Sequence, residues 1–332
     1  MKLLQYSVWK KETNTAGGKA KNDAFDIALE MGFAPSYKPS DIRWIRVLQQ
    51  IISMRKIKKA DVLFVQYPAI DSRIQKILFK NFKEGAITVA LVHDIPSIQG
   101  MKDGDKEMEM QQLTNFSHLI VHNRSMEKYL RELGYQGKTI CLDLFDYLHD
   151  ESKALNEQEF RNSVFVAGNL KKAQYVLDLG KVEGCCFDLF GLIGDMDCSK
   201  ISNAKYKGML PSDEIVYKVT GDYGLVWDGD SLDGCTGVYG RYLKYNNPHK
   251  LSLCMAAGRP AIVWKQSAVA EFVERERVGI CVNSLEELNQ IDLQKDYLEF
   301  KRNVMKIKHS VANGAYLKEA LQKILDEAQE RL

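Results

Sequence analysis

The sequence predicts an α/β protein made of two similar layered domains. Short apolar runs alternate with longer periodic segments, and the runs are apolar almost throughout, as parallel strands covered by helices on both faces require. The alternation restarts at Ser163 after a polar stretch. At 332 residues the chain is longer than most single cores, so two domains are the first expectation.

Leu3 to Trp9 reads as a strand, followed by a polar loop with Gly17 and Gly18 and a helix to about Met31. A helix over Trp44 to Ile57 leads to a strand at Asp61 to Gln66. A periodic segment, Ile74 to Phe79, leads to another at Ile87 to Asp94. Helix Lys106 to Phe116, strand Ser117 to His122, a helix capped by Ser125 and ending near Gly134, and strand Lys138 to Leu142 complete the first unit. Asp146 to Glu159 is polar enough for a linker. The second unit opens with strand Ser163 to Asn169 and a helix through Tyr175 to Leu179. Further strands are expected at Cys185 to Phe190, near Ile215 and Val216, at Gly224 to Trp227, at Ala261 to Trp264 and at Gly279 to Val282. The expected division is 1–152, 153–315 and a C-terminal helix, 316–332. Its stripe of Leu317, Leu321, Ile324, Ala328 and Leu332 can pack back across the domains or meet another subunit.

With 46 basic and 44 acidic residues the net charge is +2, which argues against a nucleic-acid partner. The basic cluster Arg55, Lys56, Lys58 and Lys59 reads as a solvated helix face, with weak contact to an anionic membrane as the other reading. Seven cysteines in a chain this long make no disulfide framework; Cys185, Cys186 and Cys254 read as small buried thiols. Six scattered histidines lack metal-ligand spacing, so no metal is expected. No run is long enough to span a bilayer, and the start reads as a strand rather than a signal peptide. A cytoplasmic location is the default expectation.

The candidate site residues lie where strands end, because ligands of open α/β sheets bind beyond the carboxyl ends of the strands. In the first unit these are Asn14-Thr15-Ala16-Gly17-Gly18, with Lys19 and Lys21 either adding charge or facing solvent, then Tyr67-Pro68, His93-Asp94-Ile95-Pro96 and His122-Asn123-Arg124. Asp94 can take a hydroxyl proton or bind sugar hydroxyls, and His93 can donate a hydrogen bond. In the second unit they are Asn169 after the first strand, the acidic loop Trp227 to Gly234, and Tyr239 to Pro260. Asn246-Asn247-Pro248-His249-Lys250 precedes a helix that ends at Gly258. A helix start carries free amides, and Lys250 adds charge to an anion site there. Arg241 supplies a further cation, and Tyr242 and Tyr245 can stack on a base.

Through Asn14 to Gly18, Val92-His93-Asp94, Tyr242 to Lys250 and Ala256-Ala257-Gly258-Arg259-Pro260, nearly the whole chain resembles a two-domain glycosyltransferase of the GT-B class. More narrowly it is similar to the bacterial glycosyltransferase 3-like glucosyltransferases that act on serine-rich repeat adhesins. That resemblance implies a GT-B fold of two Rossmann-like domains facing across a cleft, with the nucleotide on the second domain and acceptor contacts on the first. It implies transfer of a hexose, glucose from UDP-glucose, to N-acetylglucosamine O-linked to the adhesin. It also implies a homo-oligomer, dimer or tetramer. The residues carried over are Thr15 and Gly17 at the transferred sugar, Tyr242 or Tyr245 near the nucleotide, Asn246 and Asn247 orienting the donor, and Lys250 on the diphosphate. Asn169 and Arg241 are further donor contacts, and Asp94 with His93 is the expected catalytic pair. Gln266 to Glu271 lacks the glycine pattern of retaining relatives, leaving inversion and retention both open. The alternatives are a nucleotide-sugar-binding accessory protein, a transferase using another UDP-sugar, and a nucleotide-sugar epimerase.

Overall fold

The structure, a computed structural model, describes residues 1–6, 15–38, 40–68, 72–100, 106–156 and 158–331. They form two compact units. The first takes the beginning of the chain, Ala20–Leu142 and Gly314–Leu332; the second takes Asp143–Asn313 and the short segment ending at Lys19.

In the first unit the order is β1 (Leu3–Tyr6), α1 (Ala16–Glu30), β2 (Ala34–Pro35), α2 (Arg43–Ile57), β3 (Val62–Tyr67), α3 (Ser72–Phe79), β4 (Ile87–Val92), α4 (Lys106–Leu113), β5 (His118–Val121), α5 (Arg124–Glu132) and β6 (Lys138–Cys141). All the strand pairings are parallel, in the order β2-β1-β3-β4-β5-β6. β3 and β4 are buried along their whole lengths, which explains their uninterrupted apolar sequences. The chain moves outward from β1 to β2, then returns to β1's other side as β3. The crevice of this sheet therefore lies beyond the ends of β1 and β3.

The second unit runs β7 (Ser163–Gly168), β8 (Cys186–Gly191), β9 (Ala204–Gly208), α6 (Ser212–Lys218), β10 (Tyr223–Val226), α7 (Gly237–Tyr242), α8 (His249–Ala256), β11 (Ala261–Trp264), α9 (Ala270–Glu276), β12 (Gly279–Val282) and α10 (Tyr297–Ala312). Its parallel order, β12-β11-β10-β7-β8-β9, is that of a dinucleotide-binding Rossmann sheet, with the reversal between β7 and β10. α11 (Ala315–Glu330) belongs to the first unit, where Leu317, Leu321, Ile324 and Ala328 are buried and Glu327 meets His118 at 3.1 Å and Lys138 at 2.8 Å. Leu332 lies outside the described residues.

Several elements differ from the sequence expectation. Residues 174–181 form a 3-10 helix, not an α-helix. The buried side chains Leu170, Ala173, Val176, Leu179 and Val182 recur every third residue, the period of a 3-10 helix. Ile215 and Val216 belong to α6 rather than a strand. Asp213 and Glu214 occupy its first turn, and Lys218 pairs with Glu214 one turn away. The start of α5 is capped by Asn123, whose Oδ1 accepts the Met126 N–H at 3.0 Å; Ser125 lies inside the helix. The end of the expected first strand, 7–9, lies outside the described residues, and β2 and β9 are too short or too polar to stand out. Cys186 is exposed, whereas Cys185 and Cys254 are buried as expected. The expected linker contains buried Asp146 and Tyr147, which pack into the second unit.

Candidate active site

The decisive local geometry lies at the carboxyl ends of β7 and β10. β7 ends at Gly168 (φ 142°) and β8 at Gly191 (φ 129°). A Cβ on Gly191 would stand 1.8 Å from the Gly168 carbonyl oxygen, so this strand end must be bare backbone. Across the crevice, β10 leads into Trp227 and Asp228. Lys250, in the first turn of α8, spans the gap: its Nζ donates to the Trp227 carbonyl and to Asp228 Oδ1, both at 2.7 Å. Its Cε would be 3.4 Å from a Cβ on Gly168. The ammonium thus sits at the topological switch point of the sheet. Two of its three N–H groups are committed, and the side chain retains some exposure.

The residues before α8 are built into the wall. Asn247, buried, donates from Nδ2 to the Asp143 carbonyl at 2.9 Å, and His249 donates from Nε2 to the Asp146 carbonyl while stacking on Tyr147 at 4.9 Å. Desolvation pushes the His249 imidazole down to about 4, so it is neutral at physiological pH. Asn246 Oδ1 is buried without a hydrogen-bond partner among the described residues. α8 begins at Pro248 with no side-chain cap, which leaves its first amides without one. It closes on Gly258 (φ 67°), where the Arg259 N–H reaches the Cys254 carbonyl at 2.9 Å, the 6→1 bond of a Schellman motif. Tyr242 is buried and Tyr245 half-buried, while Arg241 and Asn169 are exposed. Lys172 sits over the Tyr239 ring at 4.7 Å.

In the first unit, His93 and Asp94 follow β4 as expected. His93 is buried and its Nε2 meets Gln66 Oε1 at 2.8 Å. Gln66 is oriented by its own Nε2 donating to the Lys21 carbonyl at 3.1 Å, which assigns the His93 proton to Nε2. Asp94 is half-buried and accepts from Gln99 Nε2 at 2.5 Å. Beneath this turn lies Glu109 of α4, whose Oε2 accepts the Ser97 N–H at 3.2 Å. Burial raises the Glu109 carboxyl above its ordinary range, and nearby Asp94 adds to the rise. His122 is structural: its buried Nε2 donates to the Val92 carbonyl at 2.8 Å, and desolvation pushes it down to about 4. Thr15 Oγ1 accepts the Gly18 N–H at 3.0 Å, a helix-capping contact. A Cβ on Gly17 would meet nothing within 4 Å. Asn14 lies outside the described residues. Lys19, one of the two lysines expected to add charge or face solvent, is instead buried against Leu148, Asp213 and the Tyr147 ring.

The N-terminal domain of the glucosyltransferase 3-like family matches residues 6–144, and its C-terminal domain matches 164–324. The chain belongs to the glucosyltransferase 3-like family. It is 30% identical over 335 residues to the β-1,6-galactofuranosyltransferase WbbI of Escherichia coli (strain K12), covering 95% of this chain and 96% of that one. It is 22% identical over 317 residues to glucosyltransferase 3 of Streptococcus gordonii, covering 91% and 92%. The crystal structure of Anabaena Alr3699/HepE in complex with UDP superposes with a TM-score of 0.64 at 14% identity, covering 98% of this chain and all 100% of that one. Family and fold together make this a glycosyltransferase with the GT-B fold of two Rossmann-like domains.

Sequence reading missed three features of the site. Asp228 stands in the sequence only as one carboxylate of an acidic loop; in the structure it is the ion-pair partner of Lys250. Among the described residues no group of three or more His, Cys, Asp or Glu is placed to hold a metal ion. Gln66 and Glu109, which hold the His93 to Ser97 turn, gave no signal beyond being polar residues in a strand and a helix. The wall made by Asp143, Asp146 and Tyr147 lay in or beside a segment whose polarity resembled a linker.

Proposed function

We propose that this chain transfers a hexose from a UDP-sugar to a carbohydrate acceptor, with the diphosphate held at the β7/β10 crevice. The observation that carries this reading is Lys250 lying across that crevice at the start of an uncapped helix. As the bond from the anomeric carbon to the diphosphate oxygen breaks, negative charge grows on the departing UDP. The remaining Lys250 N–H and the first amides of α8 stabilise that charge. Arg241, exposed on α7, supplies a second cation, and Tyr242, Tyr245, Asn246, Asn247 and Asn169 contribute donor contacts. On the first unit, Asp94 takes the acceptor hydroxyl proton if the configuration inverts, with His93, whose Nε2–H is given to Gln66, holding the turn beside it. Thr15 and Gly17 contact the transferred sugar, where an open Gly17 leaves room for it. Support for the donor class comes from similar folds solved with UDP or UDP-glucose.

The family name favours glucose as the sugar, and the acceptor carried over from the sequence resemblance is protein-linked N-acetylglucosamine. Galactofuranose is the second reading, favoured by the higher identity to WbbI. The test is to present radiolabelled UDP-glucose, UDP-galactofuranose and UDP-N-acetylglucosamine with N-acetylglucosaminyl peptides and with free oligosaccharides, then identify product mass, linkage and anomeric form. Incorporation from one donor supports transfer and names the sugar. UDP binding without acceptor-dependent incorporation from any donor would leave an accessory binding protein instead.

A further inference from the structure

α2 is turned the unexpected way. At about 100° per residue, Trp44, Leu48, Ile51, Ile52 and Arg55 fall within one sector of about 100°, while Gln50, Ser53, Met54 and Ile57 occupy the opposite one. The second sector is the buried one: Gln50 is 4% exposed and bonded to the Tyr37 hydroxyl, and Ser53 is 1% exposed and bonded to the Gln50 carbonyl. The first sector faces solvent, with Trp44 69%, Leu48 50%, Ile51 47% and Ile52 56% exposed. Burial of apolar surface alone would have rotated this helix to hide those four side chains. Met54 and Ile57, packed in the core, and the Gln50 bond to the Tyr37 hydroxyl hold it in the opposite orientation. Ile42, just before the helix, is exposed too. Four large apolar side chains together on one face are more than the scattered exposure ordinary surfaces carry.

The charge around this face is one-sided. Residues 42–60 contain six basic residues and no acidic one, in a chain whose net charge is only +2. Arg55, Lys56, Lys58 and Lys59 are exposed at the end of the helix. α3, packed beside α2, adds exposed Ile77 with exposed Lys76 and Lys80. An apolar stripe with an indole at one end and a cluster of cations at the other is the chemistry of a helix lying in the headgroup region of an anionic bilayer. A protein partner of ordinary mixed charge would leave these cations unmatched. We propose that α2 docks this protein on anionic phospholipid surfaces, its apolar stripe entering the interface and its basic end meeting the headgroups. This function is separate from sugar transfer and is measured without any sugar.

The experiment is sedimentation of the full chain with phosphatidylcholine vesicles, with and without phosphatidylglycerol, following tryptophan emission in parallel. Trp227 and Trp264 are buried, and a Trp9→Phe background removes the remaining tryptophan, so a blue shift on adding vesicles reports Trp44. The expected result is binding that needs phosphatidylglycerol and weakens with salt. Lys58→Glu/Lys59→Glu should lower the partition coefficient by roughly 25-fold or more, about fivefold for each cation lost. Trp44→Ser/Leu48→Ser/Ile52→Ser should remove the blue shift and most of the binding. Both variants should retain wild-type turnover on a soluble acceptor. These positions are exposed, so folding is checked by circular dichroism, and the single Trp44→Ser variant carries the test if the triple one unfolds. No binding to either vesicle, or equal binding by wild type and variants, overturns the proposal. So does concentration-dependent self-association, without vesicle binding, that the triple variant abolishes; that result would assign the face to a second copy of the chain.

Discussion

Replacing Lys250 with alanine removes the cation placed across the β7/β10 crevice. In the free protein the loss is small. The ammonium and Asp228 are 2.7 Å apart but keep 20% and 31% of their side-chain surface in water, so solvent relieves the abandoned carboxylate. Stability should fall by about 1 kcal/mol or less. With UDP leaving, the same ammonium faces a growing double negative charge in a site closed by substrate, where a charge-assisted hydrogen bond contributes about 1.5–3 kcal/mol. The expected loss in kcat/KM is therefore roughly 10- to 150-fold, with weaker UDP binding by calorimetry. Asp228→Asn supplies the converse. The amide oxygen still accepts from Lys250, but the negative charge beside the diphosphate is gone, so UDP should bind a few times more tightly. UDP affinity within twofold of wild type in both variants would show that Lys250 is only a strut between β7 and β10, and the phosphate assignment would fail.

Asp94→Asn should lower the transfer rate by about 10²- to 10⁴-fold while leaving UDP affinity nearly unchanged; equal losses in both would make Asp94 a binding residue rather than a base. Gly191→Ala should lower the melting temperature sharply, because its Cβ has no room against the Gly168 carbonyl and its φ of 129° disfavours any side chain. A melting temperature unchanged by the substitution would mean the strand end relaxes. Glu109 keeps its proton in the folded state to higher pH than in the unfolded chain, so its contribution to stability declines as pH rises above about 4.5 and through its raised folded value. Glu109→Gln keeps the Ser97 bond and should be more stable than wild type at neutral pH, with no gain in acid; a destabilised variant at neutral pH would refute burial as the dominant cause. His122 and His249 act oppositely. Both are depressed from 6.5 to about 4, so stability is lost as pH falls across that interval, at about 1.4 kcal/mol per pH unit for each, and denaturant melts of His122→Asn should show a shallower acid slope.

The sequence by itself determined the layered α/β class, because strands buried on both faces must be apolar throughout and this pattern needs no knowledge of neighbours. β11 and β12 occur at the residues expected, and α2, α4 and β4 lie within a few residues of them. It also marked α8, since Pro248 at its start and Gly258 past its end are local signals. Residues 170–182 were legible only in retrospect: an apolar period of three was present, but over so short a run it passes for a helix of ordinary pitch. Strand order was not legible at all, because which strand lies beside β7 depends on how crossovers pack and not on any residue in β7. That order places Trp227 next to Gly168, and so decides that Lys250 spans a switch point and meets Asp228, a residue 22 positions away in sequence. The orientation of α2 was decided the same way. Its sequence has apolar residues on several sides, and the core packing of Met54 and Ile57 with the Gln50 bond to Tyr37 determines which of them reach the solvent.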